Sequence, residues 1–532
     1  MEFLKDLPIS AHFEEFRQKW EQHSQFAIKS PTGSGKSLGL PLYLLEQGLV
    51  EGKIIVVQPR RVAARSLARQ ASRFCGCALG DKVGYRVRFD NKTSSRTELI
   101  YMTDGMIFRL LQNLGNLSDV GLIIFDEFHE RTVFMDASLA LAKLFTKQNK
   151  FTSRIIVTSA TLDLAKVGRY LNDSEGLDVE TKSYPVEIDY KAKKPKVSLS
   201  MQVCENLSTV LSAHEGDILI FMDGAAEIRR TVRDIQNNFS RYKLDVMPLF
   251  GEMPQDLQEL ALAPSSKRKI IVSTNLTETS LTIEGIRIVI DTGLAKKHRF
   301  DPYRGVNVLM TESISKSSAA QRAGRAGRLS AGFCLRMWTK TEHSYREEFE
   351  EPEVNRLDLA EIYLNLAACG VDLRALNWYE SPPLRNLEQA EKTLISLGLI
   401  NSDHKVMSKG LELARLPIHP KVGFALHLAK ERNCLSEFAL ISASLDFKNP
   451  IDYGKRNEFV IKNPIIQSDL LVLQSAYEQG LEVGFNSSKC KALGIHGSRL
   501  KEIEGAARRL CQIMGEEYHY PVSYTHLRAH ET

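Results

Sequence analysis

A glycine-rich loop at residues 30–37 carries the strongest chemical signal in the sequence. It reads Ser-Pro-Thr-Gly-Ser-Gly-Lys-Ser and lies between a short apolar run and a helical stretch at residues 38–47. Glycines let backbone N–H groups turn toward phosphate oxygens, and the helix that follows adds the positive end of its dipole. Lys36 would reach the β- and γ-phosphates, and the hydroxyl of Ser37 would bind Mg²⁺. The spacing predicts a nucleotide-binding loop formed by Ser30, Thr32, Gly33, Ser34, Gly35, Lys36 and Ser37.

An acidic pair, Asp126 and Glu127, follows a second apolar run in the sequence Asp-Glu-Phe-His. A carboxylate at the carboxyl end of a buried strand lies in the crevice where α/β sheets bind ligands. Asp126 would hold Mg²⁺ through water, and Glu127 would orient or deprotonate an attacking water. An acidic turn after a strand is often only solvated. Together with the glycine-rich loop, however, this pair predicts a nucleoside triphosphatase.

A basic motif at residues 321–328 reads Gln-Arg-Ala-Gly-Arg-Ala-Gly-Arg. Its arginines would reach across from a second unit to the γ-phosphate bound on the first. Such arginines stabilise transition-state charge and contribute a factor of about 10³–10⁵ in rate. The same motif is also compatible with a solvated face or an RNA-binding patch.

The elements that position these motifs follow from short runs that are almost wholly apolar. The runs lie at residues 26–29, 54–57, 121–125, 154–157, 217–221, 269–272 and 286–290. Runs of this kind are typical of strands buried on both faces of a parallel sheet. The pattern predicts an α/β fold with two tandem units, joined near residues 182–196.

The strand signal fades after residue 347. Residues 357–368 and 387–397 predict helices that end at Gly370 and Gly398. The order of helix, polar turn and helix over residues 385–415 predicts a winged-helix module, and a helical module follows. We expect domains at residues 1–185, 186–346, 347–415 and 416–520. Residues 521–532 continue no pattern, and we interpret them as a non-native tail.

Composition excludes several classes of protein. The 532 residues are 43% hydrophobic and 25% charged, with a net charge of +5, which excludes a disordered or fibrous chain. The small positive charge is compatible with a nucleic-acid partner. Eight scattered cysteines lack the spacing of a zinc site and predict reduced thiols. Because we find no signal peptide and no apolar run of about 18 residues, we expect a cytoplasmic protein with no membrane span.

Four further motifs complete a resemblance to superfamily-2 helicases of the DEAH/RHA type, most of all to the bacterial HrpB branch. They lie at residues 58–64 (Gln-Pro-Arg-Arg-Val-Ala-Ala), 103–105 (Thr-Asp-Gly), 159–161 (Ser-Ala-Thr) and 274–283. Phe128 gives DEFH where the family usually has DEAH, as the HrpB branch tends to do. The resemblance covers about residues 7–450. It implies two tandem RecA-like domains, a winged-helix module and an incomplete helical ratchet-like module.

The resemblance also implies an activity, namely that of an ATP-dependent RNA helicase with ATP and Mg²⁺ as cofactors. Such an enzyme moves 3′→5′ along single-stranded RNA and unwinds tailed duplexes. The resemblance places Gln321, Arg325 and Arg328 at the γ-phosphate and His129 at the contact between domains. It assigns the coupling of hydrolysis to movement to Ser159, Ala160 and Thr161. Contacts with nucleic acid are assigned to Arg60, Arg61, Arg88, Thr103, Asp104, Gly105, Thr274 and Thr279.

Two smaller features follow from the same resemblance. Residues 293–311 resemble the β-hairpin with which these helicases separate strands, with its turn at residues 301–305; an ordinary hairpin is the alternative. Residues 259–263 lack the aromatic side chain that stacks on the nucleotide base in relatives. That leaves Arg69 or a neighbour as the expected cover for one face of the base.

Two other functions are compatible with these motifs. A nucleic-acid-stimulated ATPase that remodels complexes without processive unwinding would use the same residues, and we expect the chain to end within its helical module. A DNA helicase is the second, because contacts with the backbone do not distinguish sugars unless the 2′-OH is contacted. No motif indicates a protein partner or an oligomeric state.

Overall fold

The chain folds into two compact units. The structure, a computed structural model, describes residues 2–31, 33–112, 117–150, 152–180, 184–251, 253, 255–278, 283–303, 305–328, 330–445, 447, 449–451 and 468–520. Residues up to 358 form the first unit together with residues 374–386. Residues 359–373 form the second unit together with residues from 387 onward.

The first unit begins with an α/β domain built on an eight-stranded sheet. Its strands are β1 (Gln25–Lys29), β2 (Lys53–Gln58), β3 (Val83–Val87), β4 (Asp90–Lys92), β5 (Leu99–Thr103), β6 (Val120–Phe125), β7 (Arg154–Ser159) and β8 (Leu177–Asp178). The strand order is β4-β3-β5-β2-β6-β7-β1-β8, and among the described pairings only β3 with β4 is antiparallel. The helices of this domain are α1 (Phe13–Gln22), α2 (Lys36–Glu46), α3 (Arg61–Phe74), α4 (Asp104–Leu111), α5 (Val133–Lys147) and α6 (Leu164–Tyr170).

A second α/β domain follows in the same unit, around a six-stranded parallel sheet. Its strands are β9 (Val186–Tyr190), β10 (Asp217–Phe221), β11 (Leu244–Leu249), β12 (Arg268–Ser273), β13 (Ile286–Asp291) and β16 (Gly332–Arg336), in the order β11-β12-β10-β13-β16-β9. The helices are α7 (Leu199–Ala213), α8 (Ala225–Asn238), α9 (Gln255–Leu262), α10 (Lys316–Ala323), α11 (Lys340–Ser344) and α12 (Glu353–Arg356). Val62 of α3 packs against the core of this second domain, so the two domains touch.

An antiparallel hairpin rises from the second domain between β13 and α10. It consists of β14 (Leu294–Asp301) and β15 (Val306–Ser313), whose register runs from Leu294 opposite Ser313 to Asp301 opposite Val306. The predicted turn at residues 301–305 is therefore confirmed. The side chain of Tyr303 in this turn is fully exposed. Arg299, two residues before the end of β14, is ion-paired with Glu312, one residue before the end of β15, so this pair joins the two strands.

The second unit is helical. Its helices are α13 (Ala360–Ala368), α14 (Leu384–Ser396, whose first turn lies in the first unit), α15 (Ser408–Leu413), α16 (Pro420–Glu431), α17 (Leu435–Ser444), α18 (Asp469–Glu482), α19 (Ser487–Ala492) and α20 (Gly497–Ile513). A single antiparallel bridge joins Ile400 to Val406 between α14 and α15. None of the helices in the described part of the chain is long and apolar enough to cross a membrane.

The predicted strands and helices agree with the structure to within a few residues. Each of the seven apolar runs is a strand, and the strands β1, β2, β6 and β7 are buried on both faces as expected for a parallel sheet. The helices that we expect to end at Gly370 and Gly398 do end there, because both glycines adopt positive φ, 72° and 65°. The tail at residues 521–532 lies outside the described residues.

A buried arginine ties the second domain together. The side chain of Arg322 in α10 is completely buried and donates to Glu278 and to Asp291, both at 2.9 Å. Its guanidinium also lies 4.7 Å from the ring centroid of Phe221. Of the three arginines in the motif at residues 321–328, the first is therefore structural.

We predict that Arg322→Met destabilises the second domain by about 3–5 kcal/mol, because it leaves the carboxylate of Asp291 buried without its cation. Unfolding in urea, followed by the fluorescence of Trp338 in the same domain, measures this change. The double variant Arg322→Met with Asp291→Asn is the control and should recover part of the loss. A change below about 1 kcal/mol, the size of a surface ion pair, would contradict the prediction.

Candidate functional site

The predicted catalytic motifs meet at one edge of the first sheet. The strands β2, β6, β7 and β1 are neighbours in that order and all run parallel. Residues 58, 126, 159 and 30 stand at their carboxyl ends. Ligands of open α/β sheets bind at this edge. The sheet topology therefore brings together motifs that are up to about 130 residues apart in the sequence.

The phosphate loop connects β1 to α2 and turns on two glycines. Gly33 and Gly35 have φ of 90° and 88°, a conformation that other residues rarely adopt. Inside the loop, the hydroxyl of Ser30 donates to Ser34 Oγ at 2.5 Å, and the N–H of Lys36 donates to the same oxygen at 3.4 Å. These contacts hold the loop in a curved form. The predicted Thr32 lies outside the described residues.

Two residues near the start of the chain support this loop from behind. The N–H of Ile9 donates to the carbonyl of Ser34 at 2.9 Å. A Cβ placed on Gly35 would lie 3.1 Å from Leu7, and one on Gly39 would lie 2.7 Å from Leu7. The segment thus leaves no room behind the loop. Sequence reasoning missed it, because only the apolar character of Leu7 and Ile9 marks a contact that tertiary structure creates.

The two carboxylates after β6 are buried and tied to the loop. Lys36 Nζ lies 3.1 Å from Glu127 Oε1, and each side chain is only 3% exposed. Asp126 accepts a hydrogen bond from Gln58 Nε2 at 2.6 Å. Gln58 belongs to a predicted motif, but its contact with Asp126 was not predicted.

Asp126 and Ser37 fit a magnesium ion. Burial, and next Glu127, raise the pKa of Asp126, whereas Lys36 and hydrogen bonds from the hydroxyls of Ser37 and Thr158 lower it. The hydroxyl of Ser37 thus lies close to the carboxylate of Asp126. Oxygen ligands of this kind, one or two from the protein and the rest from water and phosphate, are what Mg²⁺ prefers.

The motif at residues 159–161 bridges the loop and the acidic motif. The carbonyl of Ser159 accepts from the N–H of Ser30 at 2.9 Å, and its hydroxyl lies 3.0 Å from His129 Nδ1. The N–H of Thr161, beyond Ala160, donates to the same hydroxyl at 3.2 Å. Burial lowers the pKa of His129 to about 4, so this histidine is neutral at physiological pH.

Two arginines of the second domain reach the site on the first domain. A Cβ on Gly33 would lie 3.3 Å from Arg328 Cζ, which places the guanidinium on the phosphate loop. Arg325 Nε donates to the carbonyl of Glu278 at 3.0 Å. Burial, and next Arg328, lower the pKa of Arg325; burial lowers that of Arg328 to about 10, and Glu127 opposes both shifts. The carboxylate of Glu127 in the first domain therefore interacts electrostatically with both guanidinium groups of the second domain.

Gln321 lies one helical turn before Arg325. Its side chain is buried, and Nε2 has no hydrogen-bond partner among the described residues. An amide with a spare donor next to the arginines suits a role with phosphate or water.

The residues predicted to contact nucleic acid lie in different surroundings. Arg60 bridges the domains, since Nε lies 3.0 Å from Glu130 Oε1 and Nη1 donates to the carbonyl of Asn275 at 2.8 Å. Arg61 is exposed at the start of α3. The guanidinium of Arg88 stacks 5.0 Å from the ring centroid of Phe89.

The remaining predicted contacts begin short turns. Thr103 precedes α4 at the same carboxyl edge of the sheet, and Gly105 follows Asp104 in its first turn. The side chain of Thr274 accepts from the N–H of Leu276 and begins the turn Asn275–Thr277. The predicted Thr279 lies outside the described residues.

Arg69 is ion-paired across the domain boundary. Its Nη1 lies 2.8 Å from Glu259 Oε1, so α3 of the first domain meets α9 of the second at this point. Residues 259–263, which lack an aromatic side chain, therefore place the carboxylate of Glu259 beside Arg69, the residue expected to cover one face of the base.

Asp104 is an unusual carboxylate in the predicted nucleic-acid path. It accepts from the N–H of Gly105 at 2.8 Å and from the hydroxyl of Thr132. Burial raises its pKa to about 7; these two hydrogen bonds oppose the rise, and Glu353 and Glu130 add to it. Its charge therefore changes near neutral pH.

Comparison with known proteins identifies the two domains. Residues 14–169 match the DEAD/DEAH box helicase family, and residues 200–330 match the helicase conserved C-terminal domain. The "ATP-dependent RNA helicase HrpA" of Borreliella burgdorferi is 38% identical over 428 residues, which are 79% of this chain and 52% of that protein. The "Probable ATP-dependent RNA helicase DHR2" of Saccharomyces cerevisiae is 36% identical over 84% of this chain and 63% of its own.

The solved structures agree with these matches. The crystal structure of Escherichia coli DEAH/RHA helicase HrpB superposes with a TM-score of 0.81 at 30% identity and covers 96% of this chain and 60% of its own. The predicted resemblance and the two tandem RecA-like domains are thereby confirmed. The chain spans about half the length of the Borreliella relative and less than two thirds of the other two.

We predict that Leu7→Ala weakens ADP binding by about 10-fold, or about 1.4 kcal/mol, because the phosphate loop loses its support at Gly35. Fluorescent ADP titration measures this, and the rate at saturating ATP should stay within about two-fold. Leu4→Ala is the matched control, since Leu4 lies 3.9 Å from a Cβ placed on Gly39, whereas the three atoms nearest to a Cβ on Gly35 all belong to Leu7. An equal loss in both variants would show that Leu7 acts only through general stability.

A second prediction concerns pH. The pKa of Asp104 rises from 3.8 to about 7 on folding, so between these values the folded chain holds a proton that the unfolded chain has lost. Its contribution to stability therefore falls as pH rises through this range. Asp104→Asn cannot lose a proton, and its melting temperature relative to the unmodified protein should be higher at pH 8 than at pH 5. An equal difference at both pH values would contradict the shift.

Proposed function

Because the chain contains a DEAD/DEAH box helicase domain followed by a helicase conserved C-terminal domain, we propose that it is an ATP-dependent RNA helicase. It hydrolyses ATP between its two RecA-like domains, moves 3′→5′ along single-stranded RNA and unwinds tailed duplexes. One observation carries this proposal: Lys36 and Glu127 of the first domain share a buried site with Arg325 and Arg328 of the second.

Hydrolysis depends on an exchange of ion pairs. Lys36 holds the carboxylate of Glu127 at 3.1 Å. The γ-phosphate of bound ATP would take Lys36 as its partner, and Glu127 would then be available to orient and deprotonate water. Mg²⁺, held by Ser37 and Asp126, would neutralise charge on the phosphates.

The second domain completes the site. Arg325 and Arg328 would place positive charge on the γ-phosphate as the transition state forms. Gln321 would use its spare amide donor to position water or the phosphate. Because these groups come from another domain, hydrolysis and domain closure depend on each other.

Movement follows through the bridge between the motifs. Ser159 contacts the phosphate loop at Ser30 and the acidic motif at His129. A change at the γ-phosphate would therefore reach residues 159–161 through hydrogen bonds. We assign the coupling of hydrolysis to movement to Ser159, Ala160, Thr161 and His129.

The RNA strand would cross the carboxyl edges of both sheets. Arg60, Arg61, Arg88, Thr103, Asp104, Gly105, Thr274 and Thr279 would contact its backbone, which positions the strand without reading its sequence. The hairpin with Tyr303 at its tip would separate the duplex ahead. We further propose domain limits at residues 185, 346 and 415, with a winged-helix module and a ratchet-like module in the second unit.

None of the eight cysteines, all of which the structure describes, is in a disulfide. A reducing compartment keeps thiols in this form, and ATP is available there. We therefore propose that the protein acts in the cytoplasm.

We predict that single-stranded RNA stimulates ATP hydrolysis and that Glu127→Gln abolishes it, with a fall in kcat of about 100-fold or more. ADP affinity should not fall, because glutamine keeps the size of the side chain and removes the carboxylate that competes with phosphate for Lys36. Steady-state hydrolysis with matched RNA and DNA oligonucleotides at fixed salt measures both effects. Full hydrolysis by the variant would overturn the role of Glu127, and equal stimulation by RNA and DNA would make the sugar irrelevant.

A tailed-duplex assay then separates unwinding from remodelling. With duplex in excess over protein, repeated strand release supports the helicase, whereas RNA-stimulated hydrolysis without strand release supports the remodelling ATPase. A duplex with a 3′ tail should be released faster than one with a 5′ tail.

A further inference from the structure

The loop that follows the catalytic carboxylate is held in a strained conformation. Glu127 and Arg131 both have left-handed backbones, with φ of 54° and 46°, and neither is glycine. Between them, Phe128–Glu130 forms one tight turn. Residues in this region of conformational space persist only where the surrounding structure holds them. The question is which neighbours hold this loop.

Phe128, which stands where the DEAH motif has alanine, reaches one of those neighbours. Its side chain is completely buried. Its ring meets that of Tyr379 edge-to-face, with 5.4 Å between centroids and 72° between planes. Alanine has no ring and cannot make this contact.

Arg131 adds a second link to the same place. Its guanidinium lies 4.6 Å from the ring centroid of Tyr379 and 5.6 Å from that of Phe128. The same guanidinium is paired with the buried carboxylate of Asp136 at 2.8 Å and with Glu380 at 3.3 Å. The left-handed Arg131 is therefore fixed from both sides.

Tyr170 of the first domain contacts the same segment as Phe128 and Arg131. Its hydroxyl donates to the carbonyl of Asn377 at 2.7 Å, and its ring meets that of Tyr379 at 5.4 Å. Residues 377–380, which we name the anchor segment, thus contact the first domain through backbone, aromatic and charged groups.

The path of the chain connects the anchor segment to the second unit. Residues 374–386 belong to the first unit, whereas residues 359–373 before them and residues from 387 onward belong to the second. The chain therefore leaves the second unit, touches the loop next to the catalytic carboxylate, and returns. The anchor segment is therefore connected through the chain to the second unit on both sides.

We propose that Tyr379 is a positioning residue that sets the loop of Glu127 through Phe128 and Arg131, and that the anchor segment links RNA-stimulated hydrolysis to the second unit. This proposal rests on the proposed function.

The test is the ratio of RNA-stimulated to basal kcat in the full chain. Tyr379→Leu should lower this ratio by about five-fold or more, the lower end of ordinary coupling between sites. The KM for ATP should stay within about two-fold, because the phosphate loop is untouched. Tyr379→Phe keeps the ring and loses only the hydroxyl, so its ratio should equal that of the unmodified protein. A lowered ratio in Tyr379→Phe would assign the effect to the hydroxyl and not to the ring.

Glu380→Gln provides a second variant that keeps the size of the side chain and weakens only the link to Arg131. If Tyr379→Leu unfolds at a much lower temperature than the unmodified protein, Glu380→Gln is the variant that tests the inference. It should also lower the ratio of RNA-stimulated to basal kcat. Normal RNA stimulation in a folded Tyr379→Leu protein, or in Glu380→Gln where the first variant is unfolded, overturns the inference. Absence of stimulation in the unmodified protein overturns the proposed function instead, so the two failures are distinguishable.

Discussion

The buried ion pair between Lys36 and Glu127 is the interaction on which the rest of the site depends. Two charged side chains that are each only 3% exposed are stable only when they remain close to each other or to other charges. Their contact fixes the phosphate loop, which follows β1, against the acidic motif, which follows β6 two strands away. In the proposed function, a triphosphate would compete for Lys36 as a stronger anion and would leave Glu127 available to act on water.

The second domain adds charge that makes the same competition stronger. Burial lowers the pKa of both Arg325 and Arg328, and the two cations disfavour each other. Glu127 of the first domain opposes the lowering of the pKa of each arginine. Glu127 is thus a counter-ion for Lys36, Arg325 and Arg328, so three positively charged side chains share this one carboxylate. In the proposed function, phosphates bound between the domains would supply further negative charge and favour closure of the domains.

Sequence reasoning found the parts of the site that are local and missed those that tertiary structure creates. The phosphate loop, Asp126 with Glu127, and the arginines after Gln321 are each recognisable because their residue types follow a strand or begin a helix. Leu7 behind the loop, the contact of Gln58 with Asp126, and Tyr379 beside Phe128 carry no such signal, because each lies far along the chain from its partner. The buried strands were predictable from apolar runs alone. Arg60 also makes contacts that the resemblance did not predict, since it bridges Glu130 and the backbone carbonyl of Asn275.

The most direct test of the split site compares ADP with ADP–aluminium fluoride, an analogue of the transition state, in the presence of RNA. An arginine that acts on transition-state charge tightens binding of the analogue and not of ADP. We predict that Arg325→Ala weakens the analogue by about 100-fold or more and leaves ADP affinity within about two-fold. If Arg325→Ala binds the analogue as tightly as the unmodified protein does, the arginines of the second domain do not act on the phosphate, and catalysis lies within the first domain alone.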